Sequence, residues 1–335
     1  MEIGIWAFCT AVVSFAISAI SGKYLVPFLH KLKYGQTILD VGPSWHKNKQ
    51  GTPTMGGLMF ILGIVISTII SVALFAVFHD GFGDNEYFVF AGLFLALCYG
   101  AIGFIDDYIK VVKKRNLGLT AIQKLVLQFS VVAIYLLIMR VIGDNTDIYI
   151  PFVGYLDIGI FYYIIMPLII VGITNAVNLT DGIDGLNGSI TFFVALIFMM
   201  IATLLGVFDS NALFSAAIAG GCLGFLVWNF HPAKVFMGDT GSLFLGGIVC
   251  AMAFAMDMHV ILLLVGCMYL VEMFSVMIQV TYFKLTHGKR LFRMSPIHHH
   301  FEMGGWSEMK IVVVFSLITA IAGIVAIALI LVSSV

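Results

Sequence analysis

Long apolar runs separated by short polar segments dominate the chain, and their lengths predict membrane-spanning helices. A helix needs roughly 20 apolar residues to cross the hydrocarbon core of a bilayer. The eighth run is the shortest of the set. The pattern predicts an all-α polytopic membrane protein with about ten transmembrane helices, at residues 4–22, 57–78, 87–105, 125–142, 158–174, 189–207, 212–230, 243–256, 260–283 and 310–333.

The distribution of basic residues predicts how these helices are oriented. Cytoplasmic loops collect Lys and Arg, whereas outer loops lack them. Sixteen of the 17 Lys and Arg residues fall in alternate loops, and only Arg140 lies near the opposite face. Both termini are therefore expected outside. The predicted inner loops are 23–56, 106–124, 175–188, 231–242 and 284–310.

The composition also predicts a membrane protein, and it gives no sign of a separate soluble domain. Hydrophobic residues make up 61% of the chain and charged residues 10%, values that exclude an ordinary soluble protein. The sequence shows no tandem repeat or low-complexity tract, and its first apolar run lacks the basic segment of a cleavable signal peptide. A single integral membrane domain over residues 1–335 is expected.

The inner loop at 106–124 begins with two neighbouring carboxylates, Asp106 and Asp107, followed by a basic cluster that includes Lys124. Adjacent helical residues point about 100° apart, so the two acids are not expected to face one ligand equally. One would approach a metal or accept a proton while the other orients a partner, and the basic residues would attract phosphate. Solvated acids paired with lysines at a helix end are the alternative.

The next two inner loops combine polar side chains with glycines. In NAVNLTDGIDGLNG (175–188), glycines would let the backbone approach a ligand closely, although a polar turn explains the same residues. The spacing of an EF-hand calcium loop is missing. In VFMGDTGS (235–242), Asp239 stands where a helix is expected to begin. Mg²⁺ sites often use one or two carboxylates plus substrate phosphates, so Asp239 is the candidate metal ligand.

The first and last inner loops also contain candidate binding residues. HKNKQGTPTMGG (46–57) has lysines before a helix N-terminus, which suits a phosphate or a basic membrane flank. PIHHHFE (296–302) has three consecutive histidines, but adjacent side chains seldom converge on one ion, and no HExxH partner accompanies them. A substrate-contacting loop is favoured over zinc. Glu272, inside the ninth run, is either functional or a helix-packing acid.

Together the loops offer carboxylates for a divalent metal, lysines for phosphates and amides for a polar head group. This combination favours phosphoryl transfer, which depends mainly on positioning and electrostatic stabilisation. A water-soluble nucleotide donor would enter from the cytoplasm, and a lipid acceptor would arrive between helices. A secondary transporter is the alternative from another class, but its ionisable residues should lie near the membrane midplane.

Five motifs, GTPTMGG, GFIDDYIK, NLTDGIDGLNG, VFMGDTGSL and PIHHHFE, occur in this order in the predicted inner loops. They resemble the polyprenyl-phosphate N-acetylhexosamine-1-phosphate transferase family, and PIHHHFE resembles its phospho-N-acetylmuramoyl-pentapeptide transferase branch. The resemblance covers effectively the whole chain. It implies Mg²⁺-dependent transfer of phospho-N-acetylmuramoyl-pentapeptide from its UDP carrier to undecaprenyl phosphate. The implied products are lipid I and UMP, in the first membrane step of peptidoglycan synthesis.

The same resemblance implies roles for individual residues. Asp106 and Asp107 look like the catalytic pair, and Asp239 looks like the catalytic metal ligand. The family is typically a homodimer, here expected in the bacterial inner (plasma) membrane with its active site facing the cytoplasm and with no nucleic-acid partner. The implied substrate contacts are Lys47, Thr52, Lys124, Asn178, Asp181, Gly182, Ile183, Asp184, Asn229, Phe236, Gly238, Gln279, His298, His299 and His300.

Two choices stay open from the sequence. Asp106 or Asp107 could take the proton of the acceptor phosphate, or a carboxylate could act as a nucleophile and form a phospho-enzyme. A sister enzyme that transfers N-acetylglucosamine-1-phosphate to the same lipid is the closest functional alternative. The histidine motif argues against that sister.

Overall fold

The computed structural model describes residues 2–31, 49–79, 81–113 and 117–333 of the chain. Within these ranges almost all regular structure is helical, and one antiparallel hairpin pairs β1 (Asp147–Ile150) with β2 (Gly154–Asp157). The helices are α1 (Glu2–Lys31), α2 (Gly57–Phe78), α3 (Asp84–Val112), α4 (Ala121–Ile142), α5 (Tyr162–Thr180), α6 (Leu186–Leu205), α7 (Asp209–Asn229), α8 (Gly238–Phe254), α9 (His259–Val265), α10 (Cys267–Leu285), α11 (Ile297–Glu302) and α12 (Glu308–Ser333).

The prediction of an all-α polytopic membrane protein is confirmed. Eight helices of the described chain are long and apolar enough to cross a bilayer, and a ninth span is possible if α9 and α10 count as one. The apolar helix α8 has 17 residues and falls below that length. Helices suit the hydrocarbon core of a bilayer because they satisfy their backbone hydrogen bonds internally. The count of ten spans and the outward termini stay predictions.

Helices α7 and α8 form the centre of the bundle. Every residue of α8 from Thr240 to Phe254 is buried, and most of α7 is buried as well. By contrast, α1 buries a narrow stripe of small side chains such as Ser14, Ser18 and Gly22. Its outward residues include Phe8, which is 70% exposed and suits contact with lipid. Central and peripheral helices are therefore both apolar, and they differ in how much of their surface is buried.

Small residues allow the helix backbones to approach closely. A Cβ at Gly220 of α7 would overlap the carbonyl oxygen of Ala11 on α1, and a Cβ at Gly57 of α2 would overlap the backbone of Gly241 on α8. Close packing of this kind is a common way to associate helices in lipid, where no hydrophobic driving force acts between them. The contact of Gly57 with Gly241 fixes the start of α8 against the segment that precedes α2.

Two features depart from a bundle of straight spans. The predicted ninth span, 260–283, is divided into α9 and α10, which meet at Gly266 with a bend of 76°. The β1–β2 hairpin lies in the predicted outer loop, where the hydroxyl of Tyr149 lies 2.6 Å from that of Ser333 at the end of α12. We call the end of the bundle with the hairpin the hairpin face. The opposite end, which carries residues 49–56, 117–120, 181–185 and 230–237, is the site face.

The predicted boundary at residue 105 is wrong. Helix α3 continues to Val112, so Asp106 and Asp107 lie on a helix and not in a loop. Polar residues after an apolar run indicate where a helix leaves hydrocarbon, but they do not end its backbone hydrogen bonding. Both carboxylates consequently have fixed directions, and both are buried.

Candidate active site

Three carboxylates meet at the site face, where the end of α3 packs against the start of α8. Asp106 and Asp107 lie in the last two turns of α3, and Asp239 is the second residue of α8. One oxygen from each carboxylate lies within 4.8 Å of one from each of the others. This close approach requires a glycine, because a Cβ at Gly103 would overlap the carbonyl of Asp239. The cluster could hold a metal ion.

Two lysines offset most of the negative charge. Lys110 Nζ lies 2.6 Å from Asp106 Oδ2 and 3.0 Å from Asp239 Oδ2, and Lys124 Nζ lies 3.0 Å and 2.6 Å from the same atoms. Each ammonium group therefore contacts both Asp106 and Asp239. Burial opposes ionisation of Asp239, but its hydrogen bond with Asp106 and the two lysines outweigh burial and hold its pKa well below the usual range.

Asp106 and Asp107 have different partners. Asp107 Oδ2 accepts hydrogen bonds from the backbone N–H of Thr240 at 2.9 Å and from its hydroxyl at 2.7 Å, and Oδ1 accepts from the N–H of Asp239 at 3.3 Å. Asp106 Oδ1 accepts from the N–H of Leu119 at 2.6 Å, while Oδ2 faces the lysines. Asp107 thus orients the start of α8, whereas Asp106 faces the cations. The two acids therefore have unlike partners, and the predicted division between a metal- or proton-binding acid and an orienting acid stays a prediction.

Asn178, in the last turn of α5, contributes an amide to the same cluster. Its Nδ2 donates to Asp239 Oδ1 at 3.2 Å and to Ser242 Oγ at 2.7 Å. Asp239 therefore receives hydrogen bonds from an amide on one oxygen and from lysines on the other. The carboxylate is held from α3, α4 and α5 while its own backbone belongs to α8.

The loop at 181–185 begins beside this cluster. Gly182 packs on His298, whose Nε2 lies where a Cβ would stand, and Ile183 is buried. Asp181 is half-buried; desolvation, followed by repulsion from Asp239 and Asp107, raises its pKa well above the usual value. The short loop thus joins the carboxylate cluster to the histidine segment.

Asp184 and Asn229 use their side chains within the protein. Asp184 Oδ2 accepts from the N–H of Ala233 at 3.0 Å. Asn229 Oδ1 accepts from the N–H of Gly185 at 3.0 Å, and its Nδ2 donates to the carbonyl of Val235 at 2.9 Å. Both residues therefore join the 181–185 loop to the segment between α7 and α8.

Comparisons with known proteins place this geometry in a family. The profile of glycosyl transferase family 4 matches residues 88–257, and signature 1 of the phospho-N-acetylmuramoyl-pentapeptide-transferases matches residues 49–61. The transferase of that name from Heliobacterium modesticaldum is 48% identical over 97% of this chain and 98% of the relative. The Desulfitobacterium hafniense protein of the same name is 46% identical over 96% of each chain. The chain belongs to the phospho-N-acetylmuramoyl-pentapeptide-transferase family. The resemblance inferred from the five motifs is confirmed.

The family signature at 49–61 lies against the start of α8. The N–H of Gly56 donates to the carbonyl of Phe236 at 2.8 Å, and the N–H of Phe236 donates to the carbonyl of Pro53 at 2.8 Å. Gly238 has φ +72°, and a Cβ there would lie 2.6 Å from Asp107 Oδ2. Thr52 and Phe236 are half-buried beside this junction. Lys47, a predicted substrate contact, lies outside the described residues.

The histidines of this family member face different partners. His298 is fully buried and its Nδ1 lies 3.0 Å from Glu272 Oε2, whereas His299 Nδ1 lies 2.6 Å from Glu302 Oε2. The Nδ1 of His300 accepts from the backbone N–H of Arg293 at 3.1 Å. In the part of the chain that the structure describes, the three histidines do not group around one metal position. The preference for a substrate-contacting loop over zinc stays a prediction.

Gln279, another predicted substrate contact, binds the segment that follows α10. Its Oε1 accepts from the N–H groups of Leu291 at 3.2 Å and Phe292 at 2.8 Å. This single side chain therefore fixes the path from α10 towards the histidines. The contact is consistent with a role in shaping the site.

Four residues were not among the predicted site residues. Lys110 lies one helical turn after Asp106, and that i,i+4 spacing was a readable signal. Thr240 follows Asp239 and could have been read as part of a helix start. Lys49 and Glu308 meet at 2.6 Å although 259 positions separate them, so no local pattern could have joined them.

Proposed function

We propose that this protein transfers phospho-N-acetylmuramoyl-pentapeptide from its UDP carrier to undecaprenyl phosphate, yielding lipid I and UMP. The observation that carries the proposal is the cluster of Asp106, Asp107 and Asp239 with Lys110 and Lys124 at one end of a membrane bundle. Carboxylates next to ammonium groups suit a reaction between phosphates. The names of the relatives support the identity of the transferred group.

We propose Mg²⁺ as the cofactor, with Asp239 as its ligand and Asp106 beside it. Carboxylate oxygens are the ligands that Mg²⁺ prefers, and those of Asp106, Asp107 and Asp239 lie close enough together to share one ion. The low pKa of Asp239 keeps that oxygen available without a bound proton. When bound, Mg²⁺ would neutralise charge on the pyrophosphate of the donor.

The side chains then have distinct tasks in phosphoryl transfer. Lys110 and Lys124 attract the donor pyrophosphate and stabilise the charge that develops on it. An oxygen of undecaprenyl phosphate bonds to the phosphorus attached to the sugar, while the bond from that phosphorus to the UMP oxygen breaks and UMP leaves with its electron pair. A proton on the acceptor, whose second pKa is near 6 in phosphate monoesters, passes to Asp106. Asp107 keeps α8 and Asp239 in position.

The donor is proposed to lie across the site face. Asn178 and the 181–185 loop adjoin the carboxylates, and Gly182 of that loop packs on His298 of the histidine segment. A uracil ring would lie beside Gly182, Ile183 and Phe236. The remaining proposed substrate contacts are Lys47, Thr52, Lys124, Asp181, Asp184, Asn229, Gly238, Gln279, His298, His299 and His300.

We propose a homodimer in the bacterial plasma membrane, with the site face towards the cytoplasm. The excess of Lys and Arg in the loops of that face supports the orientation. The donor would enter from water, and the polyprenyl tail of the acceptor would approach through lipid. The 76° bend between α9 and α10 supports a lipid groove beside α10.

The test is UMP release by purified protein supplied with undecaprenyl phosphate and UDP-N-acetylmuramoyl-pentapeptide, with and without Mg²⁺. Release that depends on Mg²⁺ and is lost in a folded Asp239→Asn variant is expected. UDP-N-acetylglucosamine is the control donor and should give none. Release from that control donor alone would assign the protein to the sister reaction, and no release from either donor would overturn the proposal.

A further inference from the structure

A second ionic cluster lies on the other side of the 181–185 loop from the three catalytic carboxylates. Lys49 Nζ lies 2.8 Å from Asp184 Oδ1 and 2.6 Å from Glu308 Oε2. His231 Nδ1 lies 3.0 Å from Asp184 Oδ2 and 3.7 Å from Glu308 Oε2. We call Lys49, Asp184, His231 and Glu308 the loop clamp. Its members come from four segments that are distant in sequence.

The carboxylates of the loop clamp are buried, and both contact the ammonium group of Lys49. Asp184 is 3% exposed and Glu308 is 9% exposed, while Lys49 is partly buried between them. Ligand oxygens of Asp184 and Glu308 and a nitrogen of His231 lie within 4.8 Å of one another, a spacing that a metal ion could use. Here the ammonium of Lys49 contacts both carboxylates and supplies the positive charge. The cluster is therefore an ion-pair network built to hold segments together.

The loop clamp fixes the backbone of the loop as well as a side chain. Glu308 Oε2 accepts from the N–H of Asp184 at 3.1 Å, and Asn229 Oδ1 accepts from the next N–H, that of Gly185. Gly185 has φ +78°, so the chain turns sharply at this point. On the opposite side, Gly182 rests on His298. The position of the loop is thus set from both sides.

We propose that Lys49 and Glu308 are positioning residues that determine the affinity for the nucleotide donor by fixing the 181–185 loop. This inference rests on the proposed function, which assigns that loop to the donor. Both carboxylate oxygens of Asp184 are bound within the protein, so Asp184 also anchors the loop on which it lies. Donor binding then depends on a contact between the signature segment and the first residue of α12, both remote from the reacting phosphates.

The charges of the loop clamp predict that substitutions at Lys49 and Glu308 have unequal effects, and that these effects are not additive. Glu308→Gln removes the charge that pairs with Lys49 and leaves Lys49 paired with Asp184, so the tie between the loop and α12 weakens. Lys49→Met leaves two buried carboxylates side by side without their ammonium partner, which is the costlier state. Removing both charges relieves that repulsion. The double variant should therefore be less impaired than the product of the two single effects, which a double-mutant cycle measures.

Steady-state kinetics of UMP release provide the first test. Glu308→Gln should raise KM for UDP-N-acetylmuramoyl-pentapeptide about 10-fold, and Lys49→Met should raise it further, while kcat and KM for undecaprenyl phosphate stay within about twofold. Lys49→Arg should restore most of the donor affinity. Glu86→Gln is the matched control, because Glu86 is also a buried carboxylate that accepts a backbone N–H, from Gly83 at 2.7 Å, but on the hairpin face. A fall in kcat with unchanged donor KM would overturn the inference.

Hydrogen exchange provides a test that does not need turnover. Peptides covering 181–186 should exchange faster in Glu308→Gln than in the wild-type protein, while α6 and α8 keep their protection and Glu86→Gln has no effect on the loop. Unchanged exchange in the loop would overturn the loop clamp even if the enzyme is active. If wild-type protein releases no UMP but the loop exchange rises as expected, the proposed function fails and the structural role of Lys49 and Glu308 stands.

Discussion

Asp239 at the site face and Asp144 and Asp257 at the hairpin face are held in opposite ways. At the site face, Asp239 lies within 3.0 Å of two lysines and has a lowered pKa. At the hairpin face, burial raises the pKa of Asp144 to about 6. Burial, followed by repulsion from Asp144 and Asp147, raises that of Asp257 to about 7. The loops 143–158 and 255–258 contain no lysine or arginine.

The difference shows what the site-face lysines contribute. Burial opposes a carboxylate charge at both ends, because a low-dielectric environment disfavours the ionised form. Around Asp239 the ammonium groups of Lys110 and Lys124 reverse this effect and keep that carboxylate ionised near pH 7. At the hairpin face, Arg140 donates to the backbone carbonyl of Asp144 at 2.9 Å. The carboxylate that the lysines hold ionised is thus the one proposed as the metal ligand.

The largest expected effect comes from neutralising one acid at each end. Asp106→Asn should lower kcat for UMP release about 1,000-fold, because it removes the carboxylate that faces both lysines. Asp144→Asn should stay within about twofold of wild type. The measurement is a continuous assay of UMP release on protein that elutes as a single species in detergent. Comparable losses in both variants would remove the functional distinction between the two faces.

A second prediction concerns the lysines themselves. Lys124→Met should lower kcat/KM about 100-fold, because two carboxylates lose a cation and the phosphates lose a binding partner. Lys124→Arg should recover part of the activity, since it keeps the charge but changes the donor geometry.

The control for Lys124 is Lys310→Met. Lys310 is exposed on the same face, with its ammonium 4.2 Å from the ring centre of Trp306. Activity within about twofold of wild type is expected. If the Lys310 variant lost as much activity as the Lys124 variant, the effect would reflect overall basic charge and not the contacts with Asp106 and Asp239.

The sequence predicted the class of fold and the grouping of three carboxylates in one site. It predicted the shape of the bundle less well. Apolar length predicts spans, and the shared face of alternate loops predicted that Asp106, Asp107 and Asp239 belong to one site. Hydropathy does not distinguish a straight span from one bent at Gly266, because both have the same composition. Nor did it predict the β1–β2 hairpin, in which four residues of each strand pair locally.

The partners of predicted residues were harder to obtain from the sequence. Asp184 was predicted as a substrate contact. The neighbouring residues of a polar side chain in a glycine-rich loop do not show whether that side chain binds a ligand or anchors the loop. Its partners, Lys49, His231 and Glu308, are distant along the chain. For Asp106 and Asp107, helical geometry predicted unequal directions but not which acid orients a partner, and the contact of Asp107 with Thr240 supplies that distinction.

A smaller effect is expected from the hydroxyl that holds Asp107. Thr240→Val removes one of the hydrogen bonds to Asp107 Oδ2 and keeps the side-chain shape. We expect kcat to fall about 10-fold, the lower end of the range for one hydrogen bond to a charged group. Thr240→Ser keeps the hydroxyl and should stay close to wild type. Equal losses in the two variants would indicate that packing of the methyl group, and not the hydrogen bond, matters at this position.

The smallest expected effect tests the hairpin face through pH. The folded-state pKa of Asp257 is about 7, above its ordinary value of 3.8, so folding favours the protonated acid. The resulting stability is fully present below about pH 4 and is lost as the pH rises through about 7. The apparent thermal midpoint should therefore fall by a few degrees between pH 5 and pH 8, a change of about 1 kcal/mol after allowance for partial exposure.

Asp257→Asn should flatten this pH dependence and raise the thermal midpoint at pH 8, because an amide carries no charge to bury. The matched control is Asp84→Asn, an exposed acid at the first turn of α3 on the same face, which should keep the wild-type slope. Since Asp257 lies at the far end of α8 from Asp239, UMP release at pH 7 should not change. If the thermal midpoint of Asp257→Asn depended on pH as steeply as that of the wild-type protein, Asp257 would not be the cause of the pH dependence. A loss of activity would mean that α8 couples the two faces.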